Sequence, residues 1–103
     1  MSEIVIGVKA PGKQVEGLNT TGDLKELQSI VGGWLECIPF EKGMWLWCNE
    51  EGKLIGLESN FWYYGDVIVG TVFFSRSDGE GGMASLTKED IKYLQNLLGE
   101  YVI

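Results

Sequence analysis

A chain of 103 residues has room for one hydrophobic core, because folding at that length buries about 65% of the unfolded surface. The composition, 45% hydrophobic with four each of Trp, Tyr and Phe, excludes a disordered chain. Fifteen Asp and Glu against eight Lys and Arg give a net charge of −7, which argues against direct nucleic-acid binding and against an anionic membrane surface; with no histidine, Ser-His and Cys-His catalysis and His-ligated zinc are also excluded.

The opening run Ile4-Val5-Ile6-Gly7-Val8 lacks a basic segment before it and predicts a strand over residues 3–9 rather than a signal peptide. Pro11-Gly12 predicts a turn, and Val15 to Leu18 a short second strand. Asp23 and Glu26 stand at capping-box spacing before a helix whose apolar face is Leu24, Leu27, Ile30 and Val31, closed by Gly32-Gly33. From Trp34 to Leu57 the pattern predicts a three-stranded antiparallel meander, with Lys42-Gly43 as a tight hairpin turn and Glu50-Glu51-Gly52 as a second turn. Pairing Glu41 with Met44 sets Cys37 opposite Cys48 and gathers Ile38, Phe40, Trp45, Trp47, Ile55 and Leu57 on one face; Cys37, Leu46, Cys48 and Leu54 take the other.

Asp66 to Ser75 is apolar on both faces and reads as a central strand, followed by a flexible glycine-rich loop over residues 78–82. Thr87 with Asp90 forms a capping box and Leu86 with Ile91 a hydrophobic staple for a second helix, whose stripe is Ile91, Leu94, Leu97 and Leu98 and whose stop is Gly99. Tyr101-Val102-Ile103 reads as a last edge strand or a segment packed beneath the sheet. The expectation is a single α+β domain over residues 1–103, a small and mostly antiparallel sheet of about five to six strands with two helices packed against it. No apolar run approaches the ~20 residues of a membrane helix. Cys37 and Cys48 are too few for a secreted disulfide framework or a four-ligand zinc site, and read as reduced, mostly buried thiols of a cytoplasmic protein.

The tetrad Phe61-Trp62-Tyr63-Tyr64, next to Asn60, is the most unusual stretch. Strand neighbours point to opposite faces, so four consecutive rings cannot all enter one core. Either one or two of them form a binding surface, for a partner protein or a planar ligand, or the rings fold back over a small core. Residues 9–13 (Lys-Ala-Pro-Gly-Lys) lack phosphate-loop spacing and read as a turn, Asp78 and Glu80 are too few for a calcium loop, and Glu50-Glu51 reads as an exposed turn. Cys48 has no activating base placed beside it by the sequence, and the scattered acids read as a solvated surface rather than a nucleic-acid mimic. No catalytic residues, metal ligands or cofactor are expected.

Several of these residues together carry a family resemblance. Leu24-x-x-Leu27-Gln28-x-x-Val31-Gly32-Gly33-x-Leu35-Glu36 is followed in order by Cys48-Asn49-Glu50-Glu51-Gly52-Lys53-Leu54-x-Gly56-Leu57, by Asn60, by Asp66-Val67-Ile68-Val69-Gly70-Thr71 and by Ser85-Leu86-Thr87-x-Glu89-Asp90-Ile91. From about residue 4 to about residue 98 the chain resembles the uncharacterised family called domain of unknown function 3846. The resemblance implies a phage or mobile-element setting in a bacterial cytoplasm and brings no activity or catalytic residues with it. Where relatives have a polar or basic stretch after the position of Asn60, this chain has the four aromatics.

Three functional readings follow. The first is a non-enzymatic accessory protein that binds a host protein through Asn60, Phe61, Trp62, Tyr63 and Tyr64. The second is a small-ligand or nucleotide-sequestering protein, which requires Lys9, Lys13, Lys53 or Arg76 to cluster against the acidic balance. The third is a self-associating protein with the aromatics buried in a homodimer.

Overall fold

The structure, a computed structural model, describes residues 3–100. Its frame is an antiparallel sheet in the order β2-β1-β7-β4-β3, built from β1 (Ile4–Lys9), β2 (Glu16–Thr20), β3 (Leu35–Pro39), β4 (Met44–Asn49) and β7 (Val72–Ser77), with the short β8 (Met83–Ala84) beside the far end of β7. A separate two-stranded ribbon consists of β5 (Ser59–Tyr63) and β6 (Asp66–Val69). With the helices α1 (Leu24–Val31) and α2 (Lys88–Leu98), this is the expected α+β fold.

The central strand explains the layering. Phe73 and Phe74 are neighbours on β7, point to opposite faces and are both fully buried, so each face needs a cover. On one face Phe73, Ile6 and Trp47 pack against Leu27 and Val31 of α1. On the other, Phe74, Met44, Leu46 and Cys48 meet Leu94 and Leu98 of α2 together with Phe61 and Ile68 of the ribbon. The result is three layers, with α1 on one side of the sheet and α2 with the ribbon on the other.

Both helices start as their sequences direct. The Asp23 carboxylate accepts from the Glu26 amide, and Gly32 ends α1 in the left-handed conformation at φ 80°. Thr87 and Asp90 close a full capping box on α2. Asp90 also receives Nε and Nη2 of Arg76, both at 2.8 Å, while Arg76 Nη1 donates to the Lys42 carbonyl at 2.8 Å. One carboxylate thereby joins the start of α2 to β7, and its guanidinium partner reaches the turn between β3 and β4.

That turn corrects the expected register. Phe40 faces Met44, its amide donating to the Met44 carbonyl at 2.9 Å, and the loop holds three residues, not two, with Lys42 at φ 57° and Gly43 at φ 75°. Cys37 therefore pairs with Trp47 and Glu36 with Cys48. The one-residue shift moves Ile38 and Phe40 onto the face of Met44, Leu46 and Cys48, away from Trp45 and Trp47. It also brings the Glu41 carboxylate to the Tyr93 hydroxyl, which donates to it at 2.6 Å, and Lys42 over the Tyr93 ring. Cys37 and Cys48 lie on opposite faces, so the two thiols do not face each other.

Two further expectations are corrected. Residues 50–56 form consecutive turns instead of a third meander strand: Asn49 Oδ1 accepts from the Glu51 amide at 2.8 Å, and Ile55 N donates to Glu51 O. The edge of β4 that this strand would have taken belongs to β7, with Leu46 opposite Phe74. The segment Asp66 to Ser75 is likewise two strands, broken at Gly70, whose φ of 76° sends β6 to the ribbon and β7 to the sheet centre. Residues 101–103, read above as an edge strand or a packed segment, lie outside the described residues.

The Arg76 side chain holds the Asp90 carboxyl down at about 2, with the Thr87 amide adding to the effect. A depressed carboxyl stabilises the fold fully above its ordinary value and loses that contribution as pH falls toward the depressed one. The stability gap between the native chain and Asp90→Asn, read from urea midpoints, is expected to shrink by about 1–2 kcal/mol between about pH 5 and about pH 2. A gap constant across that window would disprove the assignment.

Candidate functional site

The ribbon carries all five residues singled out by sequence, and it divides them. Asn60 is fully buried: its Nδ2 donates to the Lys9 carbonyl at 2.9 Å and the Gly70 carbonyl at 2.8 Å, and its Oδ1 accepts from Lys9 Nζ at 2.7 Å. Phe61, also fully buried, lies edge-on to Phe40 and stacks with Phe74. Tyr63 is half-buried and stacks on Phe40 with centroids 4.5 Å apart. Trp62 is 50% exposed and Tyr64 87% exposed. Alternation along β5 thus sends Phe61 and Tyr63 inward and Trp62 outward, and only Trp62 and Tyr64 form a surface. Asn60 and Phe61 belong to the interior.

Tyr64 sits in the two-residue turn between β5 and β6 at φ 50°, with Gly65 at φ 77°. That turn type suits Asn-Gly, and a bulky ring in the left-handed region is strained by roughly 1 kcal/mol or more. The ring gains little from the fold in return, since its partner is the edge of Tyr63 at 4.7 Å.

Beside the ribbon lies a groove of about 590 Å³. All four residues of β6 line it and no residue of β5 does, so it runs along the second edge of β6, which no other strand occupies. Ile38 and Cys48 of the sheet form its opposite wall. The turns after β4 complete it with Glu50, Glu51, Lys53 and Leu54, and Glu36 stands at its rim. Lys53 is ion-paired with Asp66, which ties the turn segment to the ribbon. Among the described residues Glu36, Glu50 and Glu51 have no cationic partner, so the rim is acidic. The Cys48 thiol at the wall is pushed up to about 11, first by burial and then by the Glu36 carboxylate beside it. A thiol so held is neutral near pH 7, the reverse of what a nucleophile needs.

Little in the sequence signals this groove, because Glu50-Glu51 alone looks like any exposed turn. The available signal was the long matching run from Cys48 to Leu54, which supplies six of its lining residues. Elsewhere the candidate groups are committed to other partners. Lys9 is covered and held by Asn60, Lys53 by Asp66 and Arg76 by Asp90, so three of the four cations considered for an anionic ligand are engaged separately. The Asp78 carboxylate accepts from the amides of Glu80 and Gly82, which folds the glycine-rich loop back on itself. Among the described residues no three His, Cys, Asp or Glu side chains converge as a metal site requires. On the α1 face, smaller clefts of about 180 and about 400 Å³ share Trp47 and Met83.

These features define a three-layer α+β domain with an acidic groove of about 590 Å³ along a strand edge that no other strand pairs. The model of the family described as domain of unknown function (DUF3846) matches residues 4–99, and the chain belongs to that family. No curated protein and no solved structure matches the chain.

Removing the Asn60 side chain strands a lysine amine and two backbone carbonyls under the ribbon. Asn60→Ala is expected to lower unfolding free energy by about 2–4 kcal/mol. Urea denaturation checks this, and a change below about 0.5 kcal/mol would show that the network contributes little.

Proposed function

We propose that the protein is a non-enzymatic accessory binding protein of a phage or mobile genetic element, acting in the cytoplasm of a bacterial host on a host protein. The observation that carries this reading is the apolar surface left open around the ribbon turn. Trp62 and Tyr64 project from the ribbon, and Leu54 (83% exposed) and Ile55 project from the segment that Lys53 ties to Asp66. Large apolar side chains left exposed on a ribbon whose second strand lines a groove are a usual mark of an interaction surface. The strain at Tyr64 points the same way, since Asn or Gly would serve the turn better.

Self-association is the second reading, favoured by the same exposed rings. Light scattering separates the two: a monomer supports a foreign partner, and a dimer dispersed by Trp62→Ala supports the homodimer.

For the first reading, Trp62→Ala and Tyr64→Asn are expected to reduce capture of the host protein at least tenfold, the loss of a central aromatic contact being about 2 kcal/mol or more. Tyr64→Asn is expected to leave the melting temperature unchanged or raise it, as the turn strain is relieved. Capture by both variants at the native level would overturn the reading.

A further inference from the structure

The chemistry of the groove specifies what part of a partner it accepts. We propose that it binds an extended, basic and apolar peptide segment, which adds as a third strand along the free edge of β6. The inference rests on the reading that the ribbon end of the molecule is where a partner protein docks.

Three independent features of the groove agree. The first is the backbone. The ribbon has two strands, no third strand pairs with β6, and all four residues of Asp66–Val69 line the groove. An unpaired edge presents amides and carbonyls that an incoming strand satisfies, and four residues of edge match about 13 Å of extended chain.

The second is the wall. Ile38, Ile68, Val67 and Leu54 offer apolar contact on both sides of that path. Alternate side chains of an added strand would meet them, and the others would point toward the rim. The third is charge. Glu36, Glu50 and Glu51 lack cationic partners among the described residues, and the one lysine of the groove is already held by Asp66. A cationic side chain there gains attraction from three carboxylates, and the aliphatic stem of Lys or Arg can lie along the apolar wall on its way to them. An acidic segment would meet the same three charges as repulsion, so the rim excludes as well as attracts.

The test uses the full chain labelled with nitrogen-15 and a capped Val-Arg-Val-Lys-Val peptide, with Val-Glu-Val-Glu-Val as its counterpart. The basic peptide is expected to shift the amides of residues 66–69 and to give cross-strand contacts to Val67, with binding weakened as salt rises from about 50 to about 500 mM. Replacing Glu36, Glu50 and Glu51 together by Gln is expected to weaken it about tenfold. Val67→Lys, which brings a like charge to the free edge, is expected to abolish it. Equal binding of the acidic peptide would overturn the charge assignment, and shifts confined to other parts of the molecule would overturn the strand assignment. No response to the basic peptide at about 1 mM would overturn the proposal as a whole. None of these failures touches the Trp62 and Tyr64 capture result, which judges the docking reading separately.

Discussion

The groove exists because one buried amide holds the ribbon against the sheet. A two-stranded ribbon is marginal by itself, and β5 and β6 share no ladder with the main sheet. Asn60 bridges that gap by accepting from the Lys9 amine and donating to the carbonyls of Lys9 and Gly70. Two of those contacts fix the end of β1, and the third fixes the bend where the chain leaves the ribbon for the sheet centre. Each group would be costly to bury unpaired, so the network is stable only as a whole. Phe61, next in sequence, then anchors the ribbon through Phe40 and Phe74. With that end pinned, β6 packs Ile68 into the core beside Leu46 and Cys48, and all four of its residues line the groove.

Burial of Lys9 follows from the same arrangement. Its amine has no carboxylate partner among the described residues and lies 5.8 Å from the centre of the Phe61 ring. Desolvation lowers its pKa, so the neutral form is favoured more in the folded chain than in the unfolded one. The sign is the same as that of Asp90. A depressed lysine binds fewer protons folded than unfolded, and its penalty eases as pH rises toward the ordinary lysine value. The two ends of the α2 layer therefore respond to pH in the same sense for different reasons, the Arg76–Asp90 pair in acid and Lys9 in base.

Much of this architecture was legible in the sequence, and the failures share a cause. Both helices, their caps and the first hairpin follow local rules, and Thr87 with Asp90 or Asp23 before Leu24 state them within four residues. The β3–β4 register does not, because the extra loop residue is selected by Tyr93 and Arg76, more than 30 residues away. The third meander strand was lost to β7 for a similar reason: Phe73 and Phe74 fill both faces beside β4 better than Leu54 and Ile55 would. The tetrad shows the same division. Alternation correctly demands that some rings face solvent, yet only the partners of Asn60 show which residues are interior. Glu36, Cys48 and Asp66 are brought to one groove by three separate elements, a convergence with no short-range signature.

The way the molecule treats its strand edges also bears on what it binds. Edge strands invite unwanted pairing. In β3 the risk is reduced by Pro39, which lacks an amide proton, and in β2 by exposed Glu16 and Asn19 on a short strand. The edge of β6 is also short and starts with an exposed Asp66, but it has no proline, and Val67, Ile68 and Val69 have high strand propensity. Its protection is positional, because it is recessed behind the 50–57 turns and ringed by carboxylates. In a chain of net charge −7 that ring repels further copies of the same protein. An edge guarded by position and charge, instead of by proline or a bulge, remains able to pair. What it admits is decided by the sign of the incoming charge and by whether an extended segment fits between Ile38 and Leu54.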